Sequence, residues 1–180
     1  MRIKEGIRIL CIDDSPPVGK RVLIVGVVSG KKGVEGIVST KITKDGWNAS
    51  DRIIGMVEKS RFKEQIKLVF LHSLMMGGFN VVDVEKLYGK LKIPVICIAR
   101  RKPDMERVER ALSFLKNHEK KLDLIKKAKE LEMEYYYQYF GCRGGDLRRA
   151  IGIFGKFPEG LRLAHLIAGG IVRGESKGKA

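Results

Sequence analysis

The chain has 180 residues, enough for one domain whose core needs no disulfide or metal to hold it together. Hydrophobic residues make up 44% and charged residues 32%, which excludes a disordered chain, and no apolar run approaches the roughly 20 residues that span a bilayer. Lysine and arginine total 36 against 21 acidic residues, and the resulting charge of +15 attracts polyanions, nucleic acid above all.

A merely solubilising basic surface is the alternative to that partner. Cys11, Cys97 and Cys142 form no CxxC pair and leave one over, so reduced thiols in a cytoplasm are expected, without a structural zinc site. The first residues lack the apolar core of a secretory signal. One domain is expected over residues 1–173, with a flexible tail at 174–180.

The elements follow in chain order. Residues 7–12 form a short apolar, β-branched strand that ends at Asp13-Asp14-Ser15-Pro16-Pro17, where the prolines forbid continuation. Two further strands, 21–29 and 34–43, flank a hairpin loop at 30–33. From 49 to 61 the apolar residues Ile53, Ile54 and Val57 fall on one helical face, with Asn48 or Ser50 as N-cap. Residues 66–71 read as a buried strand, 81–91 as a helix and 93–99 as a second fully apolar strand. A helix opened by Asp104, a basic helix over 120–131, an aromatic strand over 134–140 and a helix over 146–153 follow. Pro158 suits the first turn of a last helix carrying Leu161, Ala164, Ile167, Ala168 and Ile171. This order gives an α/β fold: a mixed sheet, antiparallel on one side and parallel on the other, with helices on both faces. That succession is the ribonuclease H-like pattern, which other α/β folds share.

Chemistry is expected at the carboxyl ends of the strands, where ligands of open α/β sheets gather. Asp13 and Asp14 end the first strand; two adjacent carboxylates there suggest Mg²⁺ or Mn²⁺, or else an ordinary acidic turn. Asp45, at the corner between the third strand and first helix, could reach them. Gly77-Gly78-Phe79-Asn80 could receive a phosphate on backbone amides, although no nucleotide P-loop is present. Arg100 and Arg101 follow the strand at 93–99 and would clamp a phosphate backbone. Arg162 and His165 neighbour each other on the last helix, where the histidine could act as acid or base, contact phosphate, or simply pack. Tyr135, Tyr136, Tyr137, Tyr139 and Phe140 could stack on bases, but fit better as strand aromatics.

In chain order, Cys11-Ile-Asp-Asp-Ser15, Asp45-Gly-Trp-Asn-Ala-Ser50, Gly78-Phe-Asn-Val-Val-Asp83, Pro94-Val-Ile-Cys-Ile-Ala-Arg-Arg101 and the block from Pro158 to Ala168 resemble the archaeal endonuclease dU family. That family is distantly similar to endonuclease V. The resemblance spans nearly the whole chain and implies a ribonuclease H-like fold. It also implies metal-dependent cleavage of nucleic acid near a deaminated base, deoxyuridine in particular with deoxyinosine second, in DNA repair. By similarity Asp13 takes the place of the first-strand metal-binding aspartate, Asp45 that of the corner glutamate, and His165 that of the C-terminal histidine. Asn48 and Ser50 stand where the family reads Asp and Thr, and no acid stands at 71–73.

The expected site therefore has Asp13, Asp45 and His165 in catalysis and Asp13, Asp14 and Asp45 on Mg²⁺ or Mn²⁺. Gly77, Gly78, Asn80, Arg100, Arg101 and Arg162 would bind DNA, with RNA as a second substrate. The competing reading is a non-catalytic nucleic-acid-binding module with a degenerate metal site.

Overall fold

The computed structural model describes residues 3–4, 6–30 and 32–176, so the expected tail lies outside the described residues from 177 onward, as does Lys31 in the first hairpin loop. Strands β1 (Arg8–Asp14), β2 (Arg21–Gly30) and β3 (Gly33–Thr43) form an antiparallel meander. After helix α1 (Ala49–Glu58), strand β4 (Ile66–Leu71) pairs with β1 in parallel. A small hairpin of β5 (Met75–Met76) and β6 (Asn80–Val81) leads into helix α2 (Val84–Leu91), and β7 (Val95–Ala99) pairs with β4 in parallel. Helices α3 (Met105–Leu112) and α4 (His118–Lys126) precede strands β8 (Lys129–Glu132) and β9 (Tyr136–Phe140); helices α5 (Gly144–Phe154) and α6 (Glu159–Arg173) complete the described fold.

The sheet has seven strands in the order β3-β2-β1-β4-β7-β9-β8. Its parallel part, β1, β4 and β7, is the centre rather than one side, because β9 returns antiparallel along β7 and β8 along β9. The second antiparallel flank corrects the expectation of a single one. Its outermost strand, β8, occupies residues that read as the end of a basic helix. Lys129-Glu130-Leu131-Glu132 favours helix by composition, yet its pairing with the aromatic strand, Lys129 opposite Tyr139 through Glu132 opposite Tyr136, overrides that preference. The helix at 81–91 likewise starts later, at Val84, where the Asp83 side chain accepts the Lys86 amide.

Strand alternation sends the two faces of the sheet into separate cores. Leu10 and Ile12 of β1 join Ile24, Leu71, Ile53 and Val57 beneath α1 and α2. Ile9 and Cys11 join Leu68, Phe70, Ile96, Leu147 and Leu161 beneath α5 and α6. Helix α6 lies close on β1 because Gly160 has no side chain: a Cβ there would stand 2.8 Å from Cys11 Sγ. Helices α3 and α4 build a smaller cluster with Val81 around Leu112 and Ile125. Among the described residues no helix is long and apolar enough to cross a membrane.

Candidate active site

The alternation that divides the core also divides the two aspartates. Asp13 follows Cys11 towards α6 and Asp14 follows Ile12 towards α1, although at the strand end the two carboxyl groups still interact. Asp13 is only 2% exposed. Its Oδ1 accepts the Asp14 amide at 2.9 Å, while Oδ2 stands 3.1 Å from Nδ1 of His72 and 2.9 Å from Nδ1 of His165. His72 arrives there because β4 runs parallel beside β1: its amide donates to the Ile12 carbonyl, so the residue just past the strand lies next to Asp13. His165 arrives from the opposite direction, on the helix that Gly160 allows against β1. The imidazoles meet edge to face at 5.9 Å, and Phe157 stands edge-on to His72 at 5.7 Å. Accepting a hydrogen bond, Asp13 raises the pKa of His72; burial and the charge of Arg100 oppose the rise.

Asp13, His72 and His165 place one ligand atom each within 4.8 Å of one another, the only such three-residue group of potential metal ligands among the described residues. A carboxylate oxygen and two imidazole nitrogens are a donor set that suits a divalent cation. The histidine side chains are about a quarter exposed while Asp13 is buried, so the group opens to solvent past the rings.

Across the sheet, Asp14 and Asp45 are engaged with a loop. Gly77 donates its amide to Asp14 Oδ2 at 2.8 Å and accepts the Asp45 amide on its carbonyl; Phe79 donates to Asp45 Oδ1. The amides expected to cradle a phosphate thus already hold carboxylates of the chain itself. Gly78 is obligatory here, since a Cβ would lie 2.3 Å from Asp45 Oδ1 in a backbone with φ +82°. Burial, reinforced by the neighbouring Asp13 charge and opposed by the Gly77 amide, pushes the Asp14 carboxyl up to about 6. Lys121 of α4 ties the corner down, donating to the carbonyls of Asp45, Gly46 and Phe79 while its ammonium lies 4.6 Å from the centre of the Trp47 ring.

The residues expected from sequence therefore separate. Asp13 and His165 come together, while Asp14 and Asp45 meet at Gly77, outside the three-residue group. Asn80, expected on nucleic acid, is completely buried: it accepts the Ala49 amide at the start of α1 and donates to Thr43 and Asn48. Arg100 and Arg101 lie exposed just past β7, at the edge where β1 and β4 also end; Arg162 is exposed on α6 and paired with Glu159. His72 is outside the residues expected in the site; its place at the carboxyl end of a buried strand leaves its reach to the ion open in the sequence, and the structure puts it on Asp13. Tyr136 and Tyr137 are buried strand aromatics, and the Tyr137 hydroxyl donates to the Lys156 carbonyl. Burial drives the Cys97 thiol up to about 12 and raises that of Cys11 as well, which leaves neither a ready nucleophile.

The family model for endonuclease dU matches residues 5–172. The chain belongs to the endonuclease dU family. Similar to this family member is a UPF0215 protein of Archaeoglobus fulgidus, 40% identical over 96% of this chain and 98% of its own. Another, from Pyrococcus furiosus, is 35% identical over 97% of both chains. A crystal structure of an Archaeoglobus fulgidus protein of unknown function superposes with a TM-score of 0.86 at 37% identity, covering 92% of this chain and 98% of the other. Human endonuclease V superposes at 0.57 with 13% identity, covering 91% of the endonuclease dU chain and 83% of its own. Endonuclease V of Ciona intestinalis, solved with DNA containing an inosine followed by a ribo-adenosine, superposes at 0.56 with 12% identity over 91% and 84%. The fold of the endonuclease dU protein is thus the ribonuclease H-like fold of endonuclease V, and its family supports a nuclease.

Proposed function

We propose that this endonuclease dU family member is a divalent-metal-dependent endonuclease of the cytoplasm that cleaves DNA beside a deaminated base, deoxyuridine first and deoxyinosine second. The observation that carries the reading is the Asp13 carboxylate, buried at the end of the central strand with two imidazole nitrogens on one oxygen, in a chain of charge +15. The solved complex of Ciona endonuclease V with inosine-containing DNA supports a nucleic-acid substrate for the shared fold.

Asp13, His72 and His165 would hold the cation. Bound there, such an ion supplies an activated water and offsets charge on the phosphodiester. Asp13 is preset for its part, since the Asp14 amide fixes Oδ1 and leaves Oδ2 to the site. Arg100, Arg101 and Arg162 give the edge the positive charge that draws and orients the phosphate backbone. Asp14 and Asp45 shape the Gly77–Gly78 loop beside it, and the damaged base would be read after extrusion from the duplex.

A second reading, a binding module with a degenerate metal site, draws on Asp14 and Asp45, whose carboxylates already accept loop amides. Cleavage separates the two. With a divalent ion present, the protein is expected to cut a duplex carrying one deoxyuridine and to spare the undamaged duplex. Asp13→Asn should lower that rate by about 100-fold or more. Unchanged cutting by the variant would remove Asp13 from the site. A wild-type protein that binds both duplexes equally and cuts neither would favour the module.

A further inference from the structure

The composition of the three-residue group says more than that a cation fits. We infer that the site selects a transition-metal ion with affinity for imidazole, of the Mn²⁺, Fe²⁺, Co²⁺ or Zn²⁺ class, and discriminates against Mg²⁺. The inference rests on the proposed metal site but concerns which ion it takes.

Donor chemistry comes first. Mg²⁺ keeps its waters and seeks oxygen ligands, whereas imidazole nitrogen suits the later first-row ions. Here two of three donors are imidazoles, and the one carboxylate, Asp13, contributes a single negative charge. The neighbouring Asp14 adds its charge to the surroundings of His72 but is not one of the three grouped donors. Asp14 spends Oδ2 on the Gly77 amide, and Asp45 spends Oδ1 on the Phe79 amide. Nearby Arg100 adds positive charge on the His72 side. An ion that depends on dense anionic oxygen ligands finds one carboxylate among the three grouped donors.

Spacing agrees. Ligands about 2.1 Å from one ion and at right angles to each other stand about 3.0 Å apart. The Asp13 Oδ2 separations from the two Nδ1 atoms, 3.1 and 2.9 Å, match neighbouring positions of such a shell. Two histidines and one carboxylate with the remaining positions open are the donor pattern of non-haem iron(II) sites and close to that of catalytic zinc. The partly exposed rings leave that open side towards solvent.

The arrangement is also held in advance. His72 is fixed by the β1–β4 ladder and by Phe157, and His165 by the close seat of α6 on Cys11. A site whose donors are already oriented discriminates by ligand type, because it cannot rearrange to offer Mg²⁺ more oxygens. A metal-free hydrogen-bonded trio of Asp13 between two imidazoles is the competing arrangement, and titration with ions decides between them.

The experiment is calorimetric titration of chelator-stripped full-length protein with Mn²⁺, Co²⁺, Zn²⁺ and Mg²⁺, with the visible absorption of the Co²⁺ complex as an independent readout. One Co²⁺ per chain should bind more than about 100-fold tighter than Mg²⁺, with ligand-field bands that mark nitrogen coordination. His72→Ala and His165→Ala should each weaken Co²⁺ by about 10- to 100-fold, whereas His118→Ala, on α4, should leave it unchanged. The comparison of ions on the wild-type protein stands even if a histidine variant fails to fold. Equal affinity for Mg²⁺ and Co²⁺, binding of neither, or Co²⁺ affinity untouched in folded His72→Ala would overturn the inference. The nuclease reading fails separately: selective Co²⁺ binding without cleavage of deoxyuridine DNA sinks that reading alone, and cleavage that Asp13→Asn abolishes but Mg²⁺ supports equally well sinks the ion preference alone.

Discussion

Asp13 and Asp14 are chemically identical neighbours, and the period-two geometry of β1 gives them different surroundings. Asp13 meets two imidazoles beneath α6; Asp14 meets a loop amide and the apolar face beneath α1. The consequence for Asp14 is measurable. Its carboxyl titrates near 6 in the folded protein and near about 3.9 when unfolded, so the folded state binds the proton more tightly. Stability from this group is fully present below about pH 4 and is lost as pH rises through 6. Asp14→Asn mimics the protonated form and can still accept the Gly77 amide. In chelator-treated protein, urea unfolding should therefore show the variant and the wild type alike at pH 4, and the variant more stable by about 1–3 kcal/mol at pH 7. A variant less stable at pH 7 would mean that the Asp14 charge is held by a favourable interaction that outweighs its burial. At this scale the sequence supplied the residue types and the strand end. It could not supply the partner on each face, which depends on what crosses the sheet, and so whether His72 at the end of β4 reaches the ion stayed open.

Among the elements, strands and helices with a strong apolar period were legible: β1, β2, β3, β4 and β7 fall within about two residues of where the sequence puts them, α1 starts at the expected Ala49 and ends three residues early, and α6 carries the expected apolar residues. Edges and caps were not. Strand β8 is polar and exposed, and exists because β9 offers it a partner. Helix α1 shows the same dependence on distant chain. Its N-cap residue, Asn48, makes no side-chain capping bond, and the Ala49 amide is instead met by Asn80 from β6. The Ser50 hydroxyl of α1 in turn accepts the Asp83 amide at the start of α2. Asn80→Ala would leave the Ala49 amide, the Thr43 carbonyl and Asn48 without their buried partner. It should cost about 2–4 kcal/mol in urea unfolding, far more than a surface asparagine. A loss below about 1 kcal/mol would show that water satisfies those groups and that the corner is looser than described.

Over the whole molecule, the ribonuclease H-like architecture was readable because the strand–helix alternation constrains the middle of the sheet to be parallel. The second antiparallel flank was not, since nothing in a lone aromatic strand declares its direction. Net charge was readable outright, and it makes a prediction at this scale. Binding to DNA should weaken steeply with salt, with a log–log slope of about −3 or steeper if Arg100, Arg101 and Arg162 each displace a counterion. Arg101→Ala should flatten that slope by about one unit in a filter-binding or anisotropy series. Binding indifferent to salt would exclude the basic edge as the surface that meets the backbone.

The central claim is that Asp13, His72 and His165, and not the trio Asp13, Asp14 and Asp45, form the metal centre. Anomalous diffraction from a crystal soaked in Mn²⁺ addresses it directly. The expected result is one peak in contact with Asp13 Oδ2 and both Nδ1 atoms, which disappears in Asp13→Asn. A peak seated between Asp14 and Asp45 beside Gly77, or a Mn²⁺ that leaves both histidines uncoordinated, would contradict it.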